Sequence, residues 1–368
     1  MRRARWLATW QGAGSSESSS KPVIYHCISR VVDRRFVFGE RECEAFRMHM
    51  RMYENFSGCR VLSYCLMSNH FHLLLEVPPM AEGGLSDEEL LGRLSALYPE
   101  AFVVGVAAEL AQARKSAVAD GGGDARVAEI HARFTYRMHD LSEFMKGLLI
   151  RFTRWFNRTH ARTGTLWEER FKSVIVESGT AARTMAAYID LNPVRAGMVK
   201  DPADYRWSGY GEAVGGGAKG NGKKAREGLV RAWFCDSGVG FESEKWQDVS
   251  RLYRRLMGLA LGGNPGRAEV SRGGKGLGQT TRNTAELLES ADNETVLKDL
   301  GMAKMLHCRV RYFTDGAIIG SREFVNEAFA NARERFGPKR KDGARAMKGS
   351  ASAAKGLLWS VRDLRVRI

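Results

Sequence analysis

In the run Ser68-Asn69-His70-Phe71-His72-Leu73-Leu74-Leu75-Glu76-Val77, two imidazoles are separated by one apolar residue. The run has strand character, and a strand sends alternate side chains to the same face. His70 and His72 therefore project together, while Phe71 and Leu73 point the other way, toward a core. Two adjacent imidazoles make half of a divalent-metal site. A His-x-His pair is also common as a purely structural feature, so the other half has to be found elsewhere in the chain.

The second informative stretch is Tyr188-Ile189-Asp190-Leu191-Asn192-Pro193-Val194-Arg195-Ala196-Gly197. On a helix, positions i and i+4 share a face, so Tyr188 and Asn192 project together. A phenol with its ordinary pKa near ~10 is a poor nucleophile until a cation or base activates it. Asn192 offers a neutral carbonyl oxygen, suited to complete a two-imidazole site for a hard divalent ion. Such a site leaves positions open for a phosphate oxygen of a substrate, whose developing charge the ion would stabilise. Arg195 lies near the same helical face and could contact the adjacent phosphate. It could equally be a helix-end cation satisfying carbonyls and dipole. Asn192-Pro193 also reads as a helix stop.

These side chains need a scaffold, and the chain supplies one in order. Val23 to Val32 is rich in β-branched residues and predicts a first strand. Arg41 to Phe56 has helical spacing and ends before Ser57-Gly58. Arg60 to Met67 and Phe71 to Val77 are two further strands whose short junction suggests an antiparallel hairpin, stopped by Pro78-Pro79. Residues 80–135 carry glycine clusters around Ala-rich helical segments and read as an insertion. From Asp140 to His160 a long helix sets Leu141, Phe144, Leu148, Phe152 and Trp155 on one side and Lys146, Arg151, Arg154 and Arg158 on the other. A fourth strand, Phe171 to Val176, precedes a helix from Ala181 to about Leu191, capped by Thr180. Strand, helix, two strands, helix, strand, helix is a split βαβ plan. The predicted fold is α+β: a four- or five-stranded antiparallel sheet with helices on one face, ferredoxin-like or RRM-like.

Flanking this 21–212 core, residues 1–20 read as a flexible lead. Residues 213–330 read as a linker followed by a mainly helical region, with helices near Ser250–Leu261 and Thr284–Leu300. The Arg309–Ser321 stretch could belong to a small DNA-binding module. Residues 331–368 form a basic tail, 11 Lys/Arg against 3 Asp/Glu.

The 368-residue chain has 57 Lys+Arg against 42 Asp+Glu, a formal charge of +15, which makes a polyanion such as nucleic acid the first partner to consider. No stretch approaches the ~20 apolar residues of a membrane span. The six cysteines form no C-x-x-C pair, so neither a zinc knuckle nor a disulfide framework is indicated, and a reducing cytoplasm is expected.

The His70-Phe71-His72 element, preceded by Met67-Ser68-Asn69, resembles the metal motif of HUH tyrosine transposases, and the Tyr188–Arg195 run resembles their nucleophile helix. The nearer resemblance is to REP-associated tyrosine transposases. Tyr25-His26-Cys27-Ile28-Ser29-Arg30, Gly164 to Lys172 and Trp207-Ser208-Gly209-Tyr210 add to it, over about residues 22–212 and in the expected order. The resemblance implies a Mg²⁺ or Mn²⁺ ion held by His70 and His72, with Asn192 as third ligand. It implies that Tyr188 attacks single-stranded hairpin DNA to leave a 5′-phosphotyrosine and a free 3′-hydroxyl. It is compatible with a monomer or a homodimer. Arg195, Arg170, Lys172 and Arg154 are the expected DNA contacts, and Trp167 could stack on an unpaired base or belong to the core. The 80–135 insertion departs from a minimal family core. Two other classes compete: a catalytically silent nucleic-acid-binding regulator with the same fold, and a zinc hydrolase, for which no further ligand motif is evident.

Overall fold

The computed structural model describes residue 6 and residues 21–120, 123–215, 222–234, 245–262, 301–308, 310–336, 338, 340–347 and 356–361. The helix expected over 284–300 and, apart from Trp6, the lead 1–20 lie outside the described residues.

Strands β1 (Val23–Arg30), β2 (Arg60–Met67), β3 (His70–Val77) and β4 (Lys172–Val176) form an antiparallel sheet in the order β2-β3-β1-β4. Helix α1 (Glu40–Ser57) connects β1 to β2, and the β3–β4 connection carries α2 (Asp87–Leu94), α3 (Glu100–Asp120), α4 (Gly123–Thr135) and α5 (Leu141–Thr159). The Met67–His70 hairpin is the tightest link, and it delivers His70 to the first position of β3.

The pleat divides β3 between two cores. Phe71, Leu73, Leu75 and Val77 meet α1 and α5, where Phe46 lies 4.7 Å from Phe71 and Phe144, Leu148 and Phe152 are fully buried. The α1–α5 approach is close enough that a Cβ on Gly147 would collide with the ring of Tyr53, so α5 needs glycine there. Leu74 faces the opposite side, with Ile24, Leu62 and Val174. On that side pack α6 (Thr180–Asp190), the short α7 (Asn192–Arg195), α8 (Gly209–Gly215), α9 (Lys223–Phe234) and α10 (Trp246–Gly262), together with helical residues 301–305. The sequence predicts all its helices on one face; α1 and α5 cover one face, whereas α6 packs on the other. The other face is covered too, because Leu74, Val174 and Val176 are as apolar as the residues beneath α1.

The sheet has seven strands where four or five were expected. After α11 (Arg311–Thr314), β5 (Ile318–Gly320) pairs parallel to β4. The short strands β6 (Arg345–Ala346) and β7 (Trp359–Val361) then extend the sheet in the order β5-β7-β6. Within the Arg309–Ser321 stretch, expected to belong to a small module, Ile318–Gly320 instead joins the main sheet, because Ile318 and Ile319 are buried partners for Ile175 and Val176. Helix α12 (Arg322–Asn331) joins α1 and α5 in the second core through Val325, Ala328 and Phe329. Two- and three-residue strands are too short to leave a period in the sequence.

The helices of 87–135 close an apolar cluster of their own around Leu94, Leu110, Ile130 and Phe134, touching the rest through Phe56. Among the described residues no helix is long and apolar enough to cross a membrane.

Candidate active site

His72 and His70 sit on the α6 side of β3, with ring centroids 5.1 Å apart and planes nearly perpendicular. Their tautomers follow from what their Nδ1 atoms touch. His26, on the neighbouring β1, has its Nδ1 2.9 Å from the carbonyl oxygen of Phe313. A carbonyl only accepts, so His26 Nδ1 carries the proton. Burial lowers the His26 pKa to about 4, against the raising effect of that bond, so the ring is neutral and its Nε2 is a lone pair. That lone pair accepts from His72 Nδ1–H at 3.0 Å. Burial, then the neighbouring His26 and His70, hold the pKa of His72 well below its ordinary value. His72 is therefore neutral with its Nε2 unprotonated.

His70 reaches the same state by another route. Asn69 Nδ2 donates to the Arg34 carbonyl at 3.0 Å, which turns Asn69 Oδ1 toward His70 Nδ1 at 2.7 Å. His70 Nδ1–H donates to it and leaves Nε2 bare. Burial, aided by the Arg30 cation, lowers the His70 pKa to about 4. Two neutral imidazoles with free Nε2 atoms, each fixed by a bond at Nδ1, are the ligand form that a divalent cation requires.

Tyr188 comes from α6, whose nine residues Ala181–Ile189 are buried except Arg183. Its ring lies 6.0 Å from His72 and 6.1 Å from His26, edge-on to both. Phe313 stacks on one face at 4.3 Å, and the Arg195 guanidinium lies over the ring at 4.8 Å. The side chain is only 2% exposed. Burial raises its pKa to about 12, opposed by the Arg195 charge. Arg195 donates to the carbonyls of Tyr188 at 3.3 Å and Leu306 at 2.9 Å.

Pro193 has no N–H to offer the Ile189 carbonyl, and Asn192 compensates. Its Nδ2 donates to the carbonyls of Tyr188 and Ile189, each at 3.2 Å. The amide nitrogen is thereby committed to the helix end, which leaves Oδ1 as the end of Asn192 suited to a cation. Among the described residues no group of three or more His, Cys, Asp or Glu could hold a metal. A metal here would rest on two imidazoles and an amide oxygen, a neutral, mixed donor set open to a divalent cation.

Residues 19–83 match the family described as "Transposase IS200 like". That segment has homology to IS200-like transposases. It spans β1 to β3 and includes both histidines, but not Tyr188. No curated protein matches the chain. A solved structure described as "Structure of the REP associates tyrosine transposase bound to a REP hairpin" aligns over 60% of this chain and 88% of that chain, at 14% identity and a TM-score of 0.36.

Of the residues singled out from the sequence, His70, His72, Tyr188, Asn192 and Arg195 lie on one face of the sheet. Lys172 opens β4 on that face as the register neighbour of Ile28, and its amine is 3.5 Å from Asp315. Arg170 is exposed just before β4. Arg154 is exposed on α5, in the layer across the sheet. Trp167 belongs to the core: it packs edge-on against Phe71 at 5.5 Å and donates to Thr153 at 2.9 Å. Sequence reasoning missed the roles of His26, Arg30 and Phe313. His26 was legible as a strand residue, but its pairing with His72 depends on the β1–β3 register, which sets His72 opposite Ile28.

Proposed function

We propose that this protein is a metal-dependent single-strand DNA transposase or strand transferase. In this reading Tyr188 is the nucleophile, and His70, His72 and Asn192 hold Mg²⁺ or Mn²⁺. The observation that carries it is the pair of preset imidazole lone pairs on β3 with a tyrosine ring 6.0 Å from His72. The homology of residues 19–83 supports it. The ion supplies charge neutralisation at the phosphate.

In the reaction, Tyr188 Oη loses its proton and bonds to phosphorus. The P–O3′ bond breaks, and the leaving oxygen takes up a proton as a 3′-hydroxyl. The strand stays attached as a 5′-phosphotyrosine, so the phosphodiester energy is kept, and attack by a 3′-hydroxyl reverses the link. Arg195 favours the phenolate by charge and, in this reading, meets the phosphate on leaving its carbonyl partners. Lys172 and Arg170 contribute cations for the flanking backbone, with hairpin DNA as the partner, whereas Arg154, on α5 across the sheet, lies on the other face.

The test uses labelled hairpin DNA from the repeats flanking the gene, incubated with Mg²⁺, Mn²⁺ or chelator. A metal-dependent, denaturant-resistant protein–DNA adduct that disappears in Tyr188→Phe is expected. Cleavage that persists in that variant would remove Tyr188 from the role. The burial of Tyr188 beneath Phe313 favours a second reading, a catalytically silent DNA-binding regulator. Tight hairpin binding with no adduct in either metal would select it.

A further inference from the structure

Between β1 and α1 the chain forms a loop that is pinned at both ends and open in the middle. Val31 N–H donates to Asn69 O at 2.9 Å and Val32 N–H to Leu166 O at 3.0 Å. Val37 and Phe38 N–H both donate to Ser68 O at 3.0 Å. Between these anchors Asp33, Arg34, Arg35 and Phe36 are all exposed. Phe36 is 82% exposed, the most open large apolar side chain among the described residues.

The backbone is held in an unfavourable shape to achieve this. Asp33 and Arg34 have φ of +57° and +55°, a region that side-chain-bearing residues seldom occupy. Such conformations persist only where surrounding contacts over-determine them, and they concentrate at sites that bind or react. Here the left-handed Arg34 aims its carbonyl at Asn69 Nδ2, and Asn69 in turn fixes His70. The loop is thus two hydrogen bonds from a candidate metal ligand.

Its charges suit a polyanion. Arg34 and Arg35 immediately precede Phe36 in the loop, and Arg35 is only loosely tied to Asp33, at 3.7 Å with both side chains about two-thirds exposed. Arg30, the register partner of His70, is exposed at the end of β1 and close enough to depress the pKa of both His70 and His72. An aromatic face held out by a rigid loop and bordered by guanidinium groups is the chemistry of a base-stacking platform with backbone clamps.

We propose that the Arg30–Phe36 loop is a binding subsite for single-stranded DNA, in which Phe36 stacks on an unpaired base beside the reacting phosphate. Arg34 and Arg35 hold the backbone of that nucleotide's flank, and Arg30 meets the phosphate nearest His70. Engagement of the loop is transmitted to His70 through the Arg34 carbonyl and Asn69. The proposal rests on the reading of this site as a single-strand DNA enzyme.

The experiment measures binding of fluorescein-labelled oligothymidylate, because stacking tolerates any base. Wild type, Phe36→Ala, Phe36→Trp and Arg34→Ala/Arg35→Ala are compared at several salt concentrations, and thermal melts confirm that each variant is folded. Phe36→Ala should weaken binding by roughly five- to hundredfold, the range for losing one stacked base. Phe36→Trp should restore affinity, with its fluorescence quenched by the strand. The double arginine variant should flatten the salt dependence by about one unit per lost phosphate contact.

Unchanged affinity in Phe36→Ala while wild type binds and forms the Tyr188 adduct would overturn the subsite and leave the enzyme reading intact. Loss of binding in Phe36→Ala with no adduct in wild type would keep the subsite and remove the enzyme. Tighter binding of oligouridylate than of oligothymidylate would overturn the assignment to DNA.

Discussion

Both ring nitrogens of His26 are committed, one to the Phe313 carbonyl and the other to His72. Replacing it with Phe keeps the ring volume and removes both bonds, so His72 Nδ1–H loses its acceptor. Mn²⁺ affinity measured by titration calorimetry is then expected to fall about 10- to 100-fold, the usual effect of deleting such an outer partner. His26→Gln, which can still accept from His72, should keep most of it, and equal affinities in wild type and His26→Phe would refute the relay. Asp190 gives a second residue-level prediction. It is fully buried and accepts from Tyr253 at 2.6 Å, from Ser63 at 3.0 Å and from the Tyr210 N–H at 2.9 Å. Burial still outweighs these bonds and raises its pKa from 3.8 to about 6. The fold therefore holds this proton more tightly than the unfolded chain does. That stabilisation is complete below the unfolded value and is lost as pH rises through about 6. Between about pH 5 and about pH 7.5 wild type should lose roughly 1–2 kcal/mol relative to Asp190→Asn in urea unfolding. Parallel stability profiles for the two proteins would contradict it.

Helix α9 is tied to the sheet by charge as well as by packing. Glu76 on β3 is 0% exposed and is met by Arg60 from β2 and Arg231 from α9, each at 3.0 Å. Arg60 is partly solvated, whereas Arg231 is nearly buried. Arg231→Ala leaves a buried carboxylate with its more exposed partner alone, and about 3 kcal/mol of stability should be lost. Chemical denaturation measures this, and a loss near zero would mean that Arg60 suffices. Glu76 also shows where sequence reading stopped. Its place on β3 was legible, as were β1 to β4, α1, α5 and α6 to within a residue or two, because each carries a clear period of two or 3.6. That Glu76 faces the His70–His72 side also follows from alternation. Its partner Arg231 lies 155 positions further along, in a helix for which no pairing signal exists in sequence.

At the scale of the molecule, the C-terminal chain returns across the candidate site. Phe313 stacks on Tyr188, its carbonyl orients His26, and the Leu306 carbonyl holds Arg195. Nothing in the spacing of residues 301–320 announces this. The return depends on Ile318 and Ile319 finding β4, a long-range parallel pairing between strands too short to recognise. The consequence concerns access, since a tyrosine 2% exposed beneath an aromatic ring cannot meet a phosphodiester until that ring moves. Phe313→Leu keeps an apolar filler and the main-chain carbonyl but removes the stacked face, an interaction worth ~0.5–1.5 kcal/mol. The open population should rise by about two- to tenfold. Nitration of Tyr188 by tetranitromethane, followed by peptide mass spectrometry, reads this without any DNA. Tyr253, buried at 1% and bonded to Asp190, serves as the internal standard. A nitration rate at Tyr188 that rises relative to Tyr253 is the expected result. Equal rates in wild type and variant would mean that Arg195 and the α6 packing, not the returning chain, bury the phenol.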